Sequence, residues 1–238
     1  MKRNYLLWAF ILVCIVPMLS CACRSGVKSG QSNATVQNGT TANASARADS
    51  KPVQYTFQVK NTYPHNPTSY TQGLYWHDGY LWEGTGQRHQ SALLKVELET
   101  GRIVESVPLP DRYFGEGIAL LGGKIYQLTW TGQTAFVYDA GTLEKMGELP
   151  YKGEGWGLTT DGEKLYMSDG SNKSHVVDPD TFAKEKEIGV RIGRRDLYEI
   201  NELEWIGGKI WANIYMSDSI VIIDPQTGTV EGVIDLQD

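Results

Sequence analysis

The stretch Glu116-Gly117-Ile118-Ala119-Leu120-Leu121-Gly122-Gly123-Lys124-Ile125-Tyr126 contains a short opening motif, a tight glycine turn and an apolar-aromatic pair. The same grammar recurs on both sides of it. The openings are Gln72-Gly73-Leu74, Glu116-Gly117-Ile118, Trp156-Gly157-Leu158 and Asn201-Glu202-Leu203, and the pairs are Leu81-Trp82, Ile125-Tyr126, Leu165-Tyr166 and Ile210-Trp211. A period of about 40–45 residues is the signature of stacked or radial β units. Each repeat reads as four short strands joined by hairpin turns, which is the pattern of a β-propeller blade. The third strand ends at Glu99-Thr100-Gly101, Asp139-Ala140-Gly141, Asp178-Pro179-Asp180 or Asp224-Pro225-Gln226. The expected fold is therefore all-β, a propeller with four four-stranded repeats in this chain. Equivalent positions of successive blades converge on one axis. Gln72, Glu116, Trp156 and Asn201 would then meet at one mouth, the composition of a pocket for a small polar substrate.

Composition agrees with many strands and tight turns: 26 Gly, 13 Tyr and 7 Trp in 238 residues. A formal net charge of −6 argues against a nucleic-acid surface. The three cysteines all lie near the start, at Cys14, Cys21 and Cys23, so the globular part carries neither a disulfide nor a thiolate metal site. The four histidines show no ligand spacing, and no metal or other cofactor is expected.

Residues 1–21 read as an export signal. Met1-Lys2-Arg3 is basic, and the apolar run Leu6 to Met18 is short for a membrane span. Met18-Leu19-Ser20-Cys21 resembles a bacterial lipobox, which makes Cys21 the expected lipidated residue; an ordinary cleaved signal is the alternative. Residues 22–50 are polar and small, a flexible tether. Residues 51–238 form the propeller. The expected location is exported, on the periplasmic side, held to a bacterial membrane by the lipid.

Val53, Tyr55, Phe57 and Val59 alternate with polar residues, which predicts a half-buried strand over Val53 to Val59. Arg194 to Ile200 is the one place outside the signal where a helical turn is considered. Phe114-Gly115-Glu116-Gly117 sets an acid between glycines. It reads either as a solvated turn or as a working carboxyl in an aromatic mouth, whose pKa burial would raise. Trp130 and Tyr215 occupy equivalent points of two repeats, and wedges between blades compete there with pocket walls. For Asn201 a structural hydrogen-bond role competes with substrate binding.

Taken together, Thr71-Gln72-Gly73-Leu74, Phe114-Gly115-Glu116-Gly117-Ile118, Gln127-Leu128-Thr129-Trp130, Gly153-Glu154-Gly155-Trp156-Gly157-Leu158-Thr159, Ser168-Asp169-Gly170 and Asn201-Glu202-Leu203-Glu204 resemble the plant and bacterial glutamine cyclotransferases. These are five-bladed propellers that convert N-terminal glutamine of peptides to pyroglutamate with release of ammonia. The resemblance runs from about residue 53 to the end. It implies a proton-moving role for Glu116, pocket walls from Trp130 and Trp156, and polar contacts to substrate from Gln72 and Asn201. Tyr215 stands where the family usually has Trp. Glu83-Gly84-Thr85-Gly86 matches the family, whereas Gln87-Arg88-His89 diverges. A non-catalytic propeller that binds peptides or proteins at the same mouth is the competing function; a metal-dependent propeller hydrolase would need more clustered carboxylate ligands. No fifth opening appears, nor the family's late Gly-Lys stretch. The expectation is an arc of four blades with a gap or a strained closed ring, a first strand without its partners, weak or no cyclase activity, and a tendency to aggregate or associate.

Overall fold

A computed structural model describes residues 51–237. The signal, Cys21 and the tether at residues 22–50 lie outside the described residues. The strands are β1 (Val53–Tyr55), β2 (Thr71–His77), β3 (Tyr80–Thr85), β4 (Ala92–Glu97), β5 (Arg102–Pro108), β6 (Gly115–Leu121), β7 (Lys124–Thr129), β8 (Thr134–Asp139), β9 (Lys145–Pro150), β10 (Leu158–Thr160), β11 (Leu165–Ser168), β12 (Lys173–Val177), β13 (Lys184–Gly189), β14 (Arg191–Ile192), β15 (Arg195–Asp196), β16 (Ile200–Ile206), β17 (Lys209–Ile214), β18 (Ser219–Ile223) and β19 (Val230–Asp235). Four antiparallel sheets follow in chain order: β2-β3-β4-β5, β6-β7-β8-β9, β10-β11-β12-β13 and β16-β17-β18-β19. These are blades 1 to 4. No helix occurs among the described residues, and the stretch expected to hold a helical turn instead carries β15 of the small β14–β15 hairpin. Seven residues are too few for periodicity to separate the two.

In blades 2 to 4 the turn after the third strand is built the same way. Asp139 Oδ1 accepts from the amides of Gly141 (2.9 Å) and Thr142 (2.8 Å). Asp178 and Asp224 do the same for Asp180 and Thr181, and for Gln226 and Thr227. The next residue turns left-handed: Gly101, Leu143, Phe182 and Gly228 have φ between 57° and 71°. Leu143 and Phe182 hold that unfavourable conformation because their side chains are buried in the wedges between blades.

Three apolar clusters join blade 1 to 2, 2 to 3 and 3 to 4. The apolar-aromatic pairs record this arrangement. Ile125 and Tyr126, and Leu165 and Tyr166, are buried on both sides. In blade 1 only Trp82 is buried while Leu81 is half-buried, and in blade 4 Ile210 is buried while Trp211 is half-buried. Leu81 and Trp211 are the members that face the seam between blades 4 and 1, where no cluster of buried residues among those described bridges the sheets. The blade 1 flank of that seam is covered instead by the loop before β2. Its His65 Nε2 donates to the buried Glu83 at 3.1 Å, and Pro64 packs on Gly101.

Two expectations for the first strand fail. The strand is only Val53–Tyr55, and it is exposed. Alternation reports an amphipathic segment, and among the described residues its apolar side is only partly covered. Nor is it without a partner: β1 runs parallel to β19, Val53 opposite Gly232 and Tyr55 opposite Ile234. The Tyr55 ring rests on Gly232, where a Cβ would lie 2.7 Å from it.

The openings sit at the axis, and their glycines show why. A Cβ on Gly73 would lie 2.5 Å from Ile118 N, on Gly117 2.6 Å from Leu158 N, and on Gly157 2.2 Å from Asn201 O. Each glycine lets the next blade's inner strand approach backbone to backbone. In blade 4 the same position is Glu202. Its side chain crosses the seam, and Oε1 accepts from Leu74 N at 3.4 Å.

Candidate active site

Glu116 opens β6 between two glycines that neighbouring backbone requires; a Cβ on Gly115 would meet Thr85 O at 2.5 Å. The acid is 6% exposed. Burial, and then the negative charge of Glu154, hold its pKa well above the ordinary carboxylate value. Two other carboxyls of the inner strand β16 are raised. Burial and the charge of Glu204 push Glu202 well up, with Glu116 adding to the effect, and burial pushes Glu204 up to about 8. Among the described residues no three His, Cys, Asp or Glu side chains cluster as metal ligands.

The aromatic side chains near Glu116 form a continuous arc across all four blades. Tyr70 meets Phe114 edge-on at 6.0 Å, and Phe114 meets Trp130 at 5.8 Å. Trp130 Nε1 donates to Glu154 Oε2 at 2.7 Å, and Trp156 Nε1 donates to the same oxygen at 2.9 Å. Trp156 then meets Tyr215 edge-on at 5.5 Å. Main-chain bonds hold the arc in place: Trp130 N to Phe114 O, Gly155 N to Trp130 O, Gly117 N to Trp156 O, and Tyr215 N to Glu199 O, all 2.8–3.0 Å. Gly170 is left-handed (φ +77°) and lies under the Trp156 ring, so no side chain fits there.

The structure thus brings Glu116, Trp130, Trp156 and Tyr215 to one end of the blades. Gln72 lies half-buried beside Phe114's neighbour Gly86, with its Cγ 3.1 Å from where a Cβ would be. Asn201 is half-buried, and its main-chain oxygen accepts from Ser168 Oγ at 2.6 Å. That structural bond uses its backbone, not its side-chain amide. Gln127 is different: fully buried, it donates to Ala92 O at 3.2 Å and belongs to the wall between blades. Cavities of about 560 Å³, between residues 55–59 and Asp235, and about 300 Å³, beside Lys95 and Trp82, lie elsewhere. Neither is lined by Glu116 or by any residue of the arc.

Sequence reasoning missed Glu154 and Tyr70. Glu154 carried a signal: Gly153-Glu154-Gly155 repeats the glycine-acid-glycine pattern of Gly115-Glu116-Gly117. Tyr70 carried none.

The family profile described as glutamine cyclotransferase matches residues 32–238. A glutaminyl-peptide cyclotransferase of Arabidopsis thaliana is 39% identical over 179 residues, which cover 74% of this chain and 55% of the relative. The chain therefore spans about half the length of that curated relative. The crystal structure of Myxococcus xanthus glutaminyl cyclase superposes with a TM-score of 0.74 at 39% identity, covering 78% of each chain. Hydrazine synthase of Kuenenia stuttgartiensis, at 17% identity and a TM-score of 0.50, shares the fold alone.

Proposed function

The chain belongs to the glutamine cyclotransferase family, and from that premise we propose that its mouth cyclises the N-terminal glutamine of peptides to pyroglutamate, releasing ammonia. The observation that carries this reading is Glu116: a buried carboxyl with a raised pKa, beside the aromatic arc at the blade openings. In the reaction the α-amine attacks the Cδ carbonyl carbon of its own side chain. A bond forms from the α-nitrogen to Cδ, and the bond from Cδ to the amide nitrogen breaks. One proton leaves the amine and one joins the departing ammonia. No enzyme nucleophile is needed. A buried carboxyl whose pKa is raised can accept the first proton and return the second. Folding the substrate into its reactive conformer is the other task, and positioning of this kind supplies much of a rate enhancement. Trp130, Trp156 and Tyr215 would wall the side chain, while Gln72 and Asn201 would hold its polar groups. Peptides with N-terminal Gln are the partners this implies.

The direct test mixes the purified protein with a Gln-initiated peptide and follows ammonia. Release from that peptide, and none from its N-acetylated form, is the expected result. Binding of the peptide without ammonia release would favour the non-catalytic reading.

The N-terminal residues give the proposed location. Met1-Lys2-Arg3, the apolar run to Met18 and Cys21 support export and lipid attachment at Cys21, which would hold the domain at a bacterial membrane on the periplasmic side. Cys21→Ala should abolish incorporation of labelled fatty acid on expression in a bacterium. Continued acylation of that variant, for example at Cys23, would contradict the assignment.

A further inference from the structure

Glu154 Oε2 accepts from two indoles that come from different blades. Trp130 follows the second strand of blade 2, and Trp156 opens blade 3; the distances are 2.7 and 2.9 Å. The backbone next to the acid is itself held at Gly155. Gly155 N donates to Trp130 O at 3.0 Å, and a Cβ on Gly155 would meet the Tyr151 hydroxyl at 2.5 Å. That hydroxyl in turn accepts from Thr129 N at 3.2 Å and donates to Thr129 O. The backbone carrying Glu154 is thus tied to the blade that carries Trp130. A single oxygen shared by two N–H donors fixes the separation and tilt of two ring systems, which aromatic contacts alone leave loose. Bonds from neutral donors to an ionised acceptor are the stronger kind.

We infer that Glu154 is a positioning residue, setting the width of the slot between Trp130 and Trp156 in which the glutaminyl group is folded for attack. The inference rests on the cyclase reading for what fills the slot, but the clamp itself does not. Glu154 also places a negative charge near Glu116, whose other electrostatic neighbours are Tyr151 and Glu202.

The test uses the full chain with Glu154→Leu, Glu154→Asp and Glu154→Gln. The first readout needs no activity: the indole N–H resonances of Trp130 and Trp156, assigned with single Trp→Phe variants. Glu154→Leu, or Glu154→Asp should the former not fold, is expected to move both or at least one of them. Glu154→Gln, whose amide oxygen still accepts, should leave them near the native positions. The second readout is KM for a Gln-peptide. Because a misplacement of about 1 Å costs on the order of 100-fold, KM or kcat/KM should worsen by roughly 10- to 100-fold in Glu154→Leu. Glu154→Gln should recover most of that loss while its pH–rate profile moves to lower pH. Unmoved resonances would overturn the clamp. Moved resonances with kinetics within about twofold of native would overturn its role in the slot. If the native protein releases no ammonia, the cyclase reading fails by itself. Resonances and peptide affinity, followed by tryptophan fluorescence, then decide the clamp.

Discussion

Glu116 and Glu154 share one local pattern, an acid between two glycines, but the glycines serve different ends. Around Glu116 they admit backbone from blades 1 and 3; near Glu154, Gly153 is left-handed and Gly155 lies on the Tyr151 hydroxyl. The outcome is one acid whose pKa burial raises and one that gathers indole donors. Glu116→Gln should therefore abolish ammonia release, by about 100-fold or more, as expected for loss of general acid-base catalysis. It should not unfold the protein, because a neutral amide resembles the protonated acid that burial already favours. A melt showing an unchanged or higher unfolding temperature, together with a dead enzyme, is the expected pair of results. At this scale the sequence singled out Glu116 through its position in the repeat but left a solvated turn open as the other reading; its burial became visible only in the fold. The sequence showed Glu154 only as an echo, because the two indoles that define its role lie 2 and 24 residues away and meet it only in the fold.

The inner strands are where the repeat is written most plainly. Gly73, Gly117 and Gly157 were legible as openings because nothing larger fits between adjoining backbones. Gly157→Ala tests that contact. Its Cβ would fall 2.2 Å from Asn201 O and 2.7 Å from Glu202 Cα, and both are backbone atoms. Overpacking of this kind costs about 1–3 kcal/mol or more. Urea unfolding should show a midpoint lowered accordingly, with the Trp156 wall displaced. A loss under about 0.5 kcal/mol would mean that blades 3 and 4 can slide apart freely. The β1 segment was less legible. Its alternation Val53, Tyr55, Phe57, Val59 describes a segment with an apolar side, but what lies against that side is set by residues far along the chain. The same holds for Arg194 to Ile200, whose polar, mixed composition fits a hairpin as well as a helical turn.

For the molecule as a whole, the carboxyls divide into two sets with opposite effects on stability. Asp139, Asp178 and Asp224 have pKa values held down by turn hydrogen bonds, or in Asp224 by Lys209 and turn amides against the effect of burial. Their contribution is present above the unfolded value of 3.8 and is lost as pH falls through the folded values. Glu116, Glu202 and Glu204 are raised, so they hold their protons more tightly in the folded state. Their contribution is complete below 4.5 and is lost as pH climbs, for Glu204 up to about 8. The two windows do not overlap, so stability should peak in weak acid. Thermal unfolding should fall between about pH 5 and about pH 8.5, each 1 kcal/mol costing about 2–4 °C in a chain of this size. Glu204→Gln should shrink that fall, and an equally steep fall in the variant would remove Glu204 from the account. The parallel pairing of β1 with β19 bears on a different property, resistance to force. A pull on residue 51, as a tether through Cys21 would transmit, runs along β1 and loads its ladder in shear. Only the pairs from Val53 to Tyr55 share that load. They would give way together and let β1 peel off as a short leash, while the sheets behind it, and the mouth they carry, keep their arrangement.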